Sequence, residues 1–268
     1  MLYMIGIGLN DAEDITVKGL NAIKKCKYVY LENYTSILQC TKEDLEKFYD
    51  KEVILASRDL VEKNAEEILN KAETEDVAFL VVGDVFGATT HTDIFLRARQ
   101  KNIKIKIINN TSILNAVGVV GLELYKYGKT TSIVFPDNNW LPETPYDVIK
   151  QNKSQGLHTL CLLDIKTAEP TREDILKNKN ATQKPRFMTV KEAIEVLLKI
   201  EEKRKENIFT ENTFCIGVAR IGRDDQIIKS GKASELLKED FGGPLHSLIV
   251  PGKLHFIEED MLKNKKIN

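Results

Sequence analysis

Residues 81–93, VVGDVFGATTHTD, set an acid, two glycines, two threonines and a histidine at the end of the apolar run 79–82. Glycine at 83 and 87 allows backbone geometry that a β-carbon forbids. An acid at 84, leaving the carboxyl end of a buried strand, stands where open α/β sheets bind ligands. Two readings are open. In one, Thr89 and Thr90 cap a helix that begins near His91, and the stretch is only a turn. In the other, Asp84 and the glycines line a ligand site. A second stretch of this kind, NNTSILNAVG at 109–118, places Thr111 and Ser112 between an apolar strand and a helix. Two such strand ends, near each other in a parallel sheet, would form one crevice. His91 has no identifiable partner and reads as structural.

Other candidate motifs fall away. GIGLND at 6–11 has the first two glycines of a dinucleotide-binding turn, but Asp11 occupies the third position, where a helix must approach closely. What remains is a tight turn that lets a ligand approach the backbone at Leu9. GKTTS at 128–132 resembles the end of a phosphate loop, yet the upstream glycine of that loop is missing, so it reads as a turn before a strand. Cys26, Cys40, Cys161 and Cys215 form no Cys-x-x-Cys pair, which points to reduced thiols in a cytoplasmic protein and to no metal site. His158, in GLHTLCLLD, reads as a strand-start residue without ligand duty. The balance of 39 basic against 40 acidic residues offers no electrostatic footprint for nucleic acid. No apolar run approaches the roughly 18 residues of a membrane span. The start, MLYMIGIGLND, has neither a basic leader nor a cleavage pattern, and so does not read as a signal peptide.

The elements that would position these residues alternate. Strands are expected in MLYMIGIG, KYVYLEN, KEVILAS, DVAFLVVGD and IKIKIINN. Helices are expected over ITVKGLNAIKKC, RDLVEKNAEEILNKAE, HTDIFLRARQKN and SILNAVGVVGLELY. Such alternation predicts an α/β protein with a mostly parallel sheet covered on both faces. Beyond Gly128 come the strands TTSIVFP and LHTLCLLDIK, a helix DVIKQNKSQG, and a polar stretch 167–188 read as a mobile connection. A helix MTVKEAIEVLLKIEEKRKEN opens on Thr189 with Glu192 three residues on, the capping-box spacing. NTFCIGVARIG, QIIKSG and PLHSLIV are strands at hairpin-like spacing. Two α/β domains are expected, 1–115 with a mostly parallel sheet and 116–268 with a mixed one.

Taken together, GDVFGATTH, NNTSILNAVG, ARIGRDDQIIKSG and FGGPLHSLIVPGKLH resemble the tetrapyrrole-methylase superfamily of S-adenosylmethionine-dependent methyltransferases, and within it the diphthine-synthase branch. The likeness runs from YMIGIGLND to LHFIEEDML, nearly the whole chain. It implies two α/β domains of the tetrapyrrole-methylase type with the cofactor in the inter-domain cleft, and a homodimer. Position by position it implies cofactor contacts at Leu9, Asp84, Gly87, Ser112, Ile113, Leu163, Ile221 and His246. Where the superfamily usually has proline after Gly-Asp, this chain has Val85, which gives up a fixed φ; Phe187 stands where tyrosine is frequent. The implied substrate is a histidine of translation elongation factor 2 that already carries a 3-amino-3-carboxypropyl group. The implied reaction is several methyl transfers: four, ending in a methyl ester, on the eukaryotic pattern that DDQIIKSG and PLHSLI resemble, or three on the archaeal one. No residue is singled out as catalyst. A precorrin-type methyltransferase and a non-catalytic partner of the elongation factor are the rival readings, and GPLHSLI favours the protein substrate.

Overall fold

The computed structural model describes residues 1–137, 140–166, 185–263 and 265. The chain forms two compact units, Met1–Ala116 and Val117–Asn268.

The first unit is built on five parallel strands: β1 (Leu2–Gly6), β2 (Tyr28–Glu32), β3 (Ile54–Ala56), β4 (Val77–Val81) and β5 (Ile105–Ile108). They lie in the order β3-β2-β4-β1-β5. The crossovers carry α1 (Val17–Lys25), α2 (Lys42–Tyr49), α3 (Glu66–Thr74) and α4 (Thr92–Gln100), and α5 (Ile113–Ala116) follows β5. Strand side chains alternate between faces. Tyr3 and Ile5 of β1 pack with Ala22 and Ile23 of α1 and with Leu45 and Tyr49 of α2. Leu2 and Met4 pack with Ile68 and Leu69 of α3 and with Ile94 and Ala98 of α4 on the opposite face. Burying both faces explains why β4 reads as an unbroken apolar run rather than an alternating one.

In the second unit β6 (Thr131–Ile133), β7 (Thr159–Leu163), β10 (Phe214–Ala219), β11 (Ile227–Lys232) and β12 (His246–Val250) make a sheet in the order β11-β10-β12-β7-β6. Only the β6–β7 pair is parallel. A two-stranded ladder joins β8 (Ile165–Lys166) to β9 (Arg186–Phe187). Among the described residues the unit also has the helices α6 (Thr144–Ser154), α7 (Val190–Arg204), α8 (Ala233–Leu236) and α9 (Phe256–Lys263). At the start of α7 both halves of the expected capping box are present, with Thr189 Oγ1 accepting from Glu192 N–H and Glu192 accepting from Thr189 N–H.

Several expectations are corrected. The single helix expected over 112–125 is broken into α5 and two 3₁₀ turns, Val117–Val120 and Leu124–Lys126. Gly121 between those turns has φ +96°, and a β-carbon there would meet Met261 at 2.6 Å. RDLVEKNAEEILNKAE is likewise split, into a π turn at Asp59–Lys63 and then α3. Thr89 and Thr90 do not cap α4. Thr89 Oγ1 instead donates to the Val85 carbonyl at 2.7 Å, and His91 stands at the N-cap without a side-chain bond. The sequence reading missed α2, whose Thr41–Asp44 capping box was a legible signal, and also α8 and α9. Of the polar stretch 167–188, residues 167–184 lie outside the described residues; Arg186 and Phe187 are strand, not loop.

Candidate functional site

β1 hands the chain to α1 on one face of the first sheet, and its neighbour β4 hands it to α4 on the other. Adjacent strands whose crossovers diverge leave a crevice at their carboxyl ends, the switch point at which such sheets take ligands. Here the crevice is floored by backbone. Gly8 and Gly83, both at positive φ (+82° and +84°), exchange hydrogen bonds of 3.2 and 2.7 Å.

Asp84, next in sequence, ties the β4 loop to the β5 loop. Its Oδ2 accepts from Asn109 Nδ2 at 3.1 Å and from Asn110 N–H at 2.9 Å, while Oδ1 accepts from Phe86 N–H at 3.1 Å. Asn110 reaches onward, donating from Nδ2 to the Gly6 and Asp14 carbonyls at 3.1 and 3.0 Å. Gly87 is required by closeness: a β-carbon there would lie 2.5 Å from both Cβ and Oγ of Ser112. A β-carbon on Gly83 would touch the Leu9 side chain and the Ser112 backbone at 3.7 Å, so those two residues border the same small space. The first unit therefore brings Leu9, Asp84, Gly87 and Ser112 together, with Ile113 continuing from Ser112 into α5.

The neighbouring amides account for the failed dinucleotide pattern. Asp14 Oδ2 accepts from Leu9 N–H and Asn10 N–H at 2.9 and 2.8 Å, so the donors that would face a pyrophosphate are already taken. Glu32, at the end of β2, is also committed. It is fully buried, and its carboxylate accepts from Tyr34 N–H, Thr35 N–H and Thr35 Oγ1. Burial pushes its carboxyl upward, the hydrogen bonds opposing that shift. His91 is buried edge-on against Phe79 and Tyr34, and burial lowers its pKa to about 4, so it is neutral and structural. Burial of the imidazole outweighs any tendency to hold a proton.

In the second unit, register alone gathers Leu163, Ile221 and His246. His246 opposes Ala219 at the end of β10, and Ser247 opposes Leu162 in β7, so Leu163 falls in line with His246 at the same sheet edge. Ile221 follows two residues after Ala219, and all three side chains are buried. Both ring nitrogens of His246 are engaged: Nδ1 accepts from Val190 N–H at 3.3 Å, and Nε2 faces the Gly242 and Gly243 carbonyls at 3.2 and 3.0 Å. That network assigns the proton to Nε2. Burial lowers the pKa of this ring, with the two carbonyls opposing. Sequence reasoning missed Arg220, whose guanidinium reaches Asp225 and the Phe241 and Gly243 carbonyls, fixing the loop that leads to His246. His158 also has partners: Nε2 lies 3.0 Å from the buried Glu258, and Nδ1 accepts from Gly252 N–H.

The family model described as Tetrapyrrole (Corrin/Porphyrin) Methylases matches residues 1–237. This chain belongs to the tetrapyrrole methylase family. Among its relatives, a diphthine methyl ester synthase of Dictyostelium discoideum is 50% identical over 269 residues, covering 100% of this chain and 98% of that protein. The Homo sapiens protein of the same name is 49% identical, over 98% of this chain and 94% of its own length. A solved structure from Entamoeba histolytica, of a proposed diphthine synthase, superposes with a TM-score of 0.89 at 44% identity, covering 100% of this chain and 99% of that one. The methylase fold and methyltransferase class expected from the motifs agree with these findings. Among the described residues no cluster of His, Cys, Asp or Glu is placed to hold a metal, and no helix is long and apolar enough to cross a membrane.

Proposed function

We propose that this methyltransferase uses S-adenosylmethionine to methylate the 3-amino-3-carboxypropyl histidine of elongation factor 2 four times, ending in diphthine methyl ester. Near-50% identity along the whole chain to relatives bearing the name diphthine methyl ester synthase is the observation that carries this reading.

The donor set of the first unit suits such a cofactor. Asp84 receives three neutral donors and, among the described residues, has no cationic partner, so its charge is left to complement a positive group. Bound there, S-adenosylmethionine would supply a methyl group already activated by the positive charge of its sulfonium. Leu9, Ser112 and Ile113 would give apolar and hydroxyl contacts, and Gly87 the clearance for them. Leu163, Ile221 and His246 of the second unit are proposed as further contacts. His246 would contribute its shape and ring face, since both of its nitrogens are engaged internally.

The acceptor is an α-amine beside a free carboxylate, whose negative charge favours the protonated form, so each transfer draws on the minor unprotonated fraction at neutral pH. What the protein must supply is alignment and exclusion of water rather than a strong base. A carboxylate is a weaker nucleophile, and the last transfer depends on close placement most of all. The protein is further proposed to act as a homodimer, which sedimentation equilibrium would show.

The test is intact mass of elongation factor 2 bearing the unmethylated intermediate, after incubation with this protein and S-adenosylmethionine. Four added methyl groups, one lost on mild alkaline treatment, are expected. Three alkali-stable methyls would reduce the activity to diphthine formation. No change in mass while the cofactor binds would overturn the proposal.

A further inference from the structure

The β8–β9 ladder holds an arrangement that stability does not explain. Lys166 and Arg186 are direct partners across its two strands. Like charges directly opposite one another on a sheet repel. Both nevertheless gather over one ring: the Arg186 guanidinium lies 3.9 Å and the Lys166 ammonium 5.3 Å from the centre of the buried Phe135 ring. The ring's π-system attracts both cations. Among the described residues one carboxylate, Glu192, bonds Arg186, at 2.7 Å, and it is also committed to capping α7. Asp164, the next acid, accepts from Phe135 N–H at 3.0 Å. Among the described residues neither Asp164 nor any other acid pairs with Lys166.

The ladder also stands at a particular place. β8 begins two residues after Leu163, and Met188 N–H extends the ladder onto the Asp164 carbonyl at 2.9 Å. Two residues beyond Met188, Val190 N–H binds His246. Both strands of the ladder thus spring from the sheet edge where Leu163 and His246 lie.

We propose that Lys166 and Arg186 form a binding site for the carboxylate of an α-amino-acid end, with Lys166 as its free arm. This rests on the function proposed above, in which two such groups occur: the aminocarboxypropyl end of the acceptor and the methionyl end of the cofactor. If the acceptor's carboxylate is the one held, esterification removes the charge that the pair recognises, and the finished product is released.

The experiment compares full-length wild type with Lys166→Met, which keeps an unbranched stem on Phe135 but no charge, and with Lys166→Arg, which keeps the charge. Two constants are read: KM for elongation factor 2 bearing the unmethylated intermediate, and Kd for S-adenosylhomocysteine by calorimetry. Loss of one charge-assisted bond raises the relevant constant about tenfold or more. A rise in KM alone assigns the site to the acceptor, and a rise in Kd alone assigns it to the cofactor. In either case Lys166→Arg stays within a few-fold of wild type. The site is refuted if Lys166→Met and the Lys166→Met/Arg186→Met double variant leave both constants unchanged while wild type transfers methyl groups. An inactive wild type would instead overturn the proposed function, and the calorimetric arm would still report on the site.

Discussion

Replacing Gly87 by alanine probes the crevice where its tolerance is smallest. The new β-carbon would lie 2.5 Å from Cβ and Oγ of Ser112. That is about 1 Å inside the usual carbon–carbon contact distance. A rotamer change of Ser112 can move Oγ but not Cβ, so the β4 and β5 loops must separate. Separation strains the bonds from Asn109 and Asn110 to Asp84 at 3.1 and 2.9 Å. Overpacking of this kind costs about 1–3 kcal/mol, and each kcal/mol lowers Tm by about 2–4 °C in a protein of this size class. Because loop separation displaces Leu9, Asp84 and Ser112 from one another, affinity for S-adenosylhomocysteine should fall about tenfold or more. The assay is thermal melting by circular dichroism with calorimetric titration of S-adenosylhomocysteine. Adding Ser112→Gly to Gly87→Ala removes both clashing atoms and should recover most of the lost Tm. Unchanged Tm and affinity in the single variant, or no recovery in the double, would refute the close-packing account.

Other perturbations follow from the same geometry. Asp84→Asn should weaken S-adenosylhomocysteine about tenfold or more in titration calorimetry, because an amide nitrogen must now face one of the donors at Phe86, Asn109 or Asn110. Ala88 has φ +63°, which costs an L-residue about 1 kcal/mol or more; Ala88→Gly should raise the urea midpoint slightly, part of the gain being lost to unfolded-chain entropy. Burial would raise the Glu258 carboxyl, but bonds from Glu123 N–H, His255 N–H, Lys126 and His158 outweigh it and hold its pKa down at about 2. Relative to an ordinary carboxyl this is about 3 kcal/mol of stability, present above pH ~4.5 and lost as pH falls towards ~2. His158, held below its usual pKa chiefly by burial, adds loss in the same direction below pH ~6.5. Urea melts from pH 7 to 3 should therefore show a falling stability whose lower limb is flattened in Glu258→Gln.

What could be read in advance follows how local each signal is. The β-α alternation, the apolar run of β4 and the Thr189 capping box are written in consecutive residues, and the structure has them. The 112–125 segment misled because apolar spacing is compatible with helix, while Gly118 and Gly121 act through what packs on them, Met261 for Gly121. Asp84 could be singled out as an acid at a strand end, but its partners, 25 and 26 residues away, could not. Nor could the pairing of Lys166 with Arg186, which is fixed by register across a ladder. Strand order is a non-local property, and the convergence of Leu163, Ile221 and His246 became visible only once β10, β12 and β7 were neighbours.

The Asn110 side chain, which bonds the Gly6 carbonyl across a sequence separation of 104 residues, has a consequence for the order of synthesis. β1 is made first, yet its outer neighbour β5 is the last strand of its sheet to leave the ribosome. Until that edge strand is added, Asp84 lacks Asn109 and Asn110, and the Gly6 carbonyl lacks its lock. A nascent chain ending before residue 105 can hold four strands and much of the core, but its crevice is left open on the β5 side. The bonds that join the β4 and β5 loops thus arrive only after most of the sheet has been made.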